Sequence, residues 1–275
     1  MTTKIRASML PGYADCARRA AAKQWRREIE SAGYELRDLL PSVGAAVGTA
    51  VHAAAAHMLQ AKIDTGDLGD ERDSIEIGVE SFRAETDPGV EWDDTTPNAT
   101  VAATQIGRLT LAYRLGVARR LEPAAVEQAW EVSAGDGFVV TGHCDVITAA
   151  PAIRDLKTGA LLRPYQTQLG AYSLQARSQE PPIPVKKLAI DFIRRTPHTK
   201  PQDPPVTEIY DRDVCERAAF SLLERIKQDV TEFRRRLSDG DEPPEEAFLA
   251  NPMSMMCRAQ FCPAHGTNWC HLGRK

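Results

Sequence analysis

The sequence contains no run approaching the roughly 18 uncharged apolar residues of a membrane span. Its first residues, MTTKIRASMLPGY, lack the apolar stretch of about 7 to 15 residues that a signal peptide needs. These absences predict a cytoplasmic protein with no membrane partner. There is no internal repeat and no low-complexity tract, so solenoid and fibrous arrays are excluded. Positive charge is not in excess: 34 Lys and Arg stand against 38 Asp and Glu, a net charge of -4, and the sum does not advertise a nucleic-acid binder. Distribution matters more than the sum, and basic residues cluster at Arg18, Arg19, Lys23, Arg26 and Arg27, at Arg194 and Arg195, and at Arg234 to Arg236. Each cluster is also compatible with a solvated helix face. Cysteine is sparse, six in the chain. In a reducing compartment structural disulfides are rare, so grouped thiols point to metal binding or redox chemistry.

At 275 residues the chain can form one large domain or two modest ones. Pro-rich breaks occur only at QEPPIPV, HTKPQDPPV and SDGDEPPEE, which favours a single domain over 1–275 with a terminal appendage. Apolar spacing predicts helices over 13–31, 44–64 and 99–121, with Gly48 in the Ala-rich second helix marking a close approach. AVEQAWEV, FVVTGHCDVI and AIRDLK, separated by turns, predict a three-stranded meander. A helix over 163–179, strands at VKKLAIDFI and PVTEIY, and a charged helix over 211–237 follow. The order implies an α/β architecture with a mixed sheet.

In GHCDVITAAPAIRDLKTG, residues 142–159, charged groups stand where a sheet presents Val or Ile. If the two strands pair across AAPA, Asp145 falls nearly opposite Asp155, with facing Cβ atoms about 4.5 to 5.5 Å apart. The period of two puts Lys157 on the face of Asp155. Paired carboxylates repel unless a cation lies between them, and Mg²⁺ is an oxygen-seeking solution. A lysine beside such an ion can orient an attacking water or offset charge on a phosphate. The bland alternative is a surface hairpin with a cross-strand ion pair.

The surroundings add to this. GTAVH supplies Gly48 and His52, GHCD supplies Gly142 and Asp145, DLKTG supplies Asp155, Lys157 and Gly159, and QLGAY supplies Gln168 and Tyr172. In order and context these motifs resemble the PD-(D/E)xK nuclease superfamily, in the branch of the RecB and AddB nuclease domains, the CRISPR-associated adaptation nucleases and many phage exonucleases. The motifs span 44–175. The resemblance implies a restriction-endonuclease-like mixed sheet flanked by helices. It also implies a metal-dependent DNA exonuclease acting in recombination, repair or replication in a phage or bacterium. His52, Asp145, Asp155 and the backbone carbonyl of Leu156 would hold Mg²⁺ or Mn²⁺, the imidazole favouring manganese. Asp145, Asp155 and Lys157 would be catalytic, with Gln168 and Tyr172, one helical turn apart, in support. Glu127 is a candidate accessory ligand, with Glu131 as competitor. DNA, single-stranded or as duplex ends, would be the partner, alongside a helicase or a single-strand annealing protein.

The tail, NPMSMMCRAQFCPAHGTNWC, places Cys257, Cys262 and Cys270 among turn formers. Thiolates hold either zinc or an iron–sulfur cluster, and spacing does not separate the two. The resemblance implies that Cys16 joins them around a [4Fe-4S] cluster, so that residues 251–275 staple to the N-terminal segment. Structural zinc completed by His265 or His271 is the alternative. Cys144 and Cys215 read as ordinary buried cysteines. Two rival functions stay open: a non-cleaving DNA-binding or adaptor protein of the same fold, and a zinc-binding regulatory protein.

Overall fold

A computed structural model describes residues 2–272. The chain begins with strand β1 (Thr3–Arg6) and three short helices, α1 (Leu10–Asp15), α2 (Ala17–Gln24) and α3 (Arg26–Ser31). Helices α4 (Val43–Thr65), α5 (Glu71–Thr86) and α6 (Ala99–Gly116) come next, then the consecutive strands β2 (Pro123–Gly135), β3 (Phe138–Thr148) and β4 (Ala152–Gly159). Helix α7 (Gln166–Arg177), strands β5 (Lys187–Arg194) and β6 (Val206–Tyr210), and the long helix α8 (Arg212–Asp239) complete the framework. Among the described residues, no helix is long and apolar enough to cross a membrane.

The single helix expected over 13–31 is three. Cys16 breaks it with extended backbone, φ -156° and ψ 103°, and Trp25 breaks it again at φ -116° and ψ 34°. At the first break the Cys16 sulfur is turned to the tail, where it accepts from the Asn251 N–H at 3.4 Å. Strand β1 and helix α5 also go beyond the elements read from sequence. The first has four residues, and the second buries only Ser74, Gly78 and Phe82, too few to print a periodic stripe.

Helix α4 starts on a Ser42 cap that accepts from Ala45 N–H and stops at Gly66 in the left-handed region, φ 84°. Its small residues let α5 lie close: a Cβ on Gly78 would meet the Ala50 carbonyl at 3.0 Å. Gly48 does mark a close approach, to Thr158 Oγ1, which a Cβ would meet at 3.1 Å.

The sheet is mixed, as expected. β3 is paired antiparallel along one edge by β2. Its other edge is shared: β1 runs parallel to residues 138–141, and β4 pairs antiparallel only at Val146↔Arg154 and Ile147↔Ile153. Between them residues 142–145, GHCD, have no strand partner on that edge among the described residues. β4 pairs β5 in parallel and β5 pairs β6 antiparallel. Helices cover both faces. On one, Val47, Val51, Ile106 and Leu109 of α4 and α6 pack on Val146 and Leu156. On the other, residues of α1, α2, α3, α7, α8 and the tail, among them Leu169, Ile226 and Trp269, pack on Cys144 and Ile153.

Candidate active site

The acid pair sits where the ladder opens. Continuing the observed register places Asp145 opposite Asp155, but hydrogen-bonded pairing ends at Val146↔Arg154. Instead the Leu156 N–H donates to Asp145 Oδ2 at 2.7 Å. A second irregularity coincides with it. Trp130 of β2 and Cys144 of β3 face the α7 layer, whereas Val126 and Val146, even-numbered like them, face the α4 layer. Both strands therefore change face between those positions, and Glu127 and Asp145 lie at the change. Glu127 adopts φ 49°, a left-handed conformation that costs a residue with a Cβ about 1–2 kcal/mol. Strain of this kind collects at functional sites.

Three side chains converge there. His52 of α4, Glu127 of β2 and Asp145 of β3 each offer a ligand atom, and these atoms lie within 4.8 Å of one another. His52 Nδ1 is 3.3 Å from Asp145 Oδ2. Asp155, fully buried on β4, has its Oδ2 2.6 Å from Lys157 Nζ and no other donor on that oxygen. Its Oδ1 accepts from Gln168 Nε2 at 3.2 Å, and the same amide donates to the Tyr172 hydroxyl at 2.8 Å. Both Gln168 and Tyr172 are buried, and the Gln168 amide links the Tyr172 hydroxyl to Asp155. The Lys157 ammonium lies 5.1 Å from the centre of the Tyr165 ring.

The charges push one another in opposite directions. Burial raises the Asp155 carboxyl; the Lys157 ammonium opposes this and the Asp145 charge adds to it, leaving Asp155 at about 6. For Asp145 burial is outweighed by the His52 charge and hydrogen bond, with help from Lys157 and the Leu156 N–H, and its carboxyl is lowered. Burial works against a charged His52, but the Asp145 charge and hydrogen bond lift it above its ordinary value. Burial likewise opposes the Lys157 charge, and Asp155 with Asp145 outweighs it, so the lysine is held as an ammonium. Glu127 is raised by burial and by the Asp145 charge. Three acids gathered around one lysine and one imidazole leave surplus negative charge. The donor set, carboxylate oxygens plus one nitrogen, fits a hard divalent cation of the Mg²⁺ or Mn²⁺ type.

A family model for the PD-(D/E)XK nuclease superfamily matches residues 6–271. The chain belongs to that superfamily. The fold of this PD-(D/E)XK protein is similar to that of a solved "Putative exonuclease" from Eubacterium rectale, with a TM-score of 0.54 at 11% identity. The match covers 93% of this chain and 87% of the other. No curated protein matches the chain.

Other residues singled out in the sequence separate by position in this PD-(D/E)XK fold. Glu131 pairs with Lys4 at 2.8 Å on the surface. Cys144 and Cys215 are buried. Glu127, secondary in the sequence reading, belongs with His52 and Asp145; the available signal was its register opposite Asp145. Tyr165 was missed, and nothing in RPYQTQL announces that its ring would face Lys157. Gly142 is explained by packing, because a Cβ there would meet Gln175 Oε1 at 2.7 Å and the Tyr172 ring at 2.8 Å.

Across the α7 layer, Cys16, Cys257, Cys262 and Cys270 line one cavity with Arg19, Ala250, Asn251, Pro252, Ala264 and Leu272. Neither His265 nor His271 lines it. The Cys262 thiol is pushed up to about 11, chiefly by burial, with the neighbouring Cys16 and Cys270 adding to it. Residues 248–269 are bound to the N-terminal helices: Arg18 Nε donates to the Phe248 carbonyl, Asn251 Nδ2 to the Asp15 carbonyl and Trp269 Nε1 to the Arg18 carbonyl.

Proposed function

We propose that this protein hydrolyses phosphodiester bonds in DNA with a divalent metal, working as an exonuclease in recombination, repair or replication. The observation carrying this reading is the convergence of His52, Glu127 and Asp145 beside the buried Asp155–Lys157 pair. His52, Glu127, Asp145 and Asp155, with the Leu156 carbonyl, are the groups that would hold Mg²⁺ or Mn²⁺. When bound, such an ion supplies Lewis-acid activation of a phosphate oxygen and acidification of a water. Lys157, kept protonated by Asp155 and Asp145, orients that water and offsets charge on the phosphate; it is not the base. Gln168 holds Asp155 and is itself held by Tyr172, so the pair acts as a positioning unit. The products carried by this chemistry are 5′-phosphate and 3′-hydroxyl ends.

The cysteine cavity is proposed to hold a [4Fe-4S] cluster through Cys16, Cys257, Cys262 and Cys270. Four thiols and no imidazole line it, which removes the support for a zinc site completed by histidine.

The test is incubation with end-labelled single-stranded and duplex DNA, with Mg²⁺, with Mn²⁺ and with chelator. Metal-dependent shortening from an end is expected, and Asp155→Ala or Lys157→Ala should abolish it while circular dichroism stays native. Full cleavage by either variant sinks the assignment; binding of DNA without cleavage by the parent protein turns it towards the adaptor reading.

A further inference from the structure

Most of the basic clusters visible in the sequence are neutralised inside the fold. Arg234 pairs with Glu28, Arg235 and Arg236 with Glu232, Arg195 with Asp93, Arg26 with Glu30 and Arg19 with Asp15. A different set of cations is left without acids. Arg6 on β1, Lys23 on α2 and Ser8, Arg19, Gln24 and Met256 line one open cleft of about 240 Å³. Arg163 reaches its edge, with Nη2 3.9 Å from Met256 Sδ. Among the described residues Arg6, Lys23 and Arg163 have no carboxylate within 4.0 Å.

One loop links the cleft to the candidate active site. Arg163 belongs to the loop between β4 and α7, six residues after Lys157 and two before Tyr165, whose ring lies 5.1 Å from the Lys157 ammonium. That loop therefore runs from the candidate catalytic lysine to Met256 on the cleft wall. We propose that Arg6, Lys23 and Arg163 form a binding subsite for the phosphate backbone of the nucleic-acid strand being cut, away from the scissile bond. This rests on the nuclease reading for the strand's destination, whereas the binding itself does not need it. Three unpaired cations from separate segments, around a cleft open to solvent, match the repeated single charges of a phosphodiester chain.

The experiment measures the affinity of a fluorescent single-stranded oligonucleotide by anisotropy over a salt series, in chelator so that nothing is cut. Hydrolysis of bis(p-nitrophenyl) phosphate with Mn²⁺ is followed in parallel. The variant is Arg6→Ala/Lys23→Ala/Arg163→Ala, and the charge-matched control is Arg27→Ala/Arg72→Ala/Arg217→Ala, three exposed residues that do not line the cleft. The cleft variant should bind at least tenfold more weakly. Its dependence of log affinity on log salt should be shallower by about 2, at about 0.7 per single-strand phosphate contact. The control should change less than twofold, and the small diester, too short to reach the cleft, should be hydrolysed at the parent rate. Unchanged affinity and slope overturn the proposal, as does an equal loss in the control or a collapse of small-diester hydrolysis in the cleft variant. A parent that binds DNA through these residues yet cleaves neither substrate supports the cleft and sinks the nuclease reading alone.

Discussion

At the scale of single residues, Glu127 shows most clearly what the site costs. An acid in the left-handed region at φ 49° gives up about 1–2 kcal/mol of backbone energy, and its carboxylate then sits beside that of Asp145. Glycine relieves both the strain and the like-charge contact, while its looser unfolded state returns about 0.5–1 kcal/mol of the gain. Glu127→Gly is therefore expected to leave metal-free stability unchanged or raise it by about 1 kcal/mol, where glycine in an ordinary strand position destabilises. The same change should weaken Mn²⁺ binding severalfold. Urea denaturation in chelator and calorimetric metal titration read the two effects; a clear loss of stability would show that the conformation is not strained. Of the candidate site residues, Asp145, Asp155 and Lys157 were legible as a group because their types and spacing carry chemistry, and His52 only through the resemblance of GTAVH to the family motif. Glu127 was only half legible, since the face change that aims it is a break in the period of two on which strand reading depends.

At the scale of elements, the opened ladder and the helix pair beneath it do the positioning. β1 leaves β3 at residue 141 and β4 joins it at 146, so among the described residues GHCD has no strand partner on that edge, and Asp145 turns there to the Leu156 amide. Helix α7 carries Gln168 and Tyr172 to Asp155 only because α8 lies hard against its other side. A Cβ on Gly170 would stand 2.0 Å from the Cys215 carbonyl oxygen and 2.9 Å from the Ala219 Cβ. Gly170→Ala must then separate two helices, at a cost in the upper part of the ~1–3 kcal/mol typical of overpacking. The expected outcome is a lower denaturation midpoint together with reduced activity, since Gln168 moves with its helix; an unaltered midpoint would mean that α7 and α8 are free to shift. Gly170 had no signature in QLGAY, where it reads as one more small helical residue. The helix expected over 13–31 failed for a related reason: local spacing is helical throughout, and only the distant Asn251 amide explains why Cys16 leaves the helix.

At the scale of the molecule, the sheet is held between a layer centred on α4 and a layer closed by the two ends of the chain. Trp269 is fully buried against Tyr34, Phe233 and Phe248, so the tail completes a core rather than decorating it. If the four cysteines hold the proposed cluster, loss of the iron frees the tail first. Anaerobic protein should contain about four iron atoms per chain. Removing them should abolish hydrogen-exchange protection over 251–270 and in α2 while α4 and α6 keep theirs, because those helices belong to the opposite face. Stoichiometric zinc in place of iron, or a tail still protected after metal removal, would contradict the cluster.

The sequence by itself determined the elements whose apolar spacing is strong, the acids and lysine of the central hairpin, and the thiols available to a metal, because each depends on residue type at short range. Only the tertiary structure decided that Glu127 joins His52, that Gln168 is turned to Asp155, that Cys16 faces the tail cysteines, and that Arg6, Lys23 and Arg163 remain unpaired. These are contacts between segments far apart in the chain, set by strand register, helix contact and the competition of each cation for the acids near it, and no local pattern encodes them.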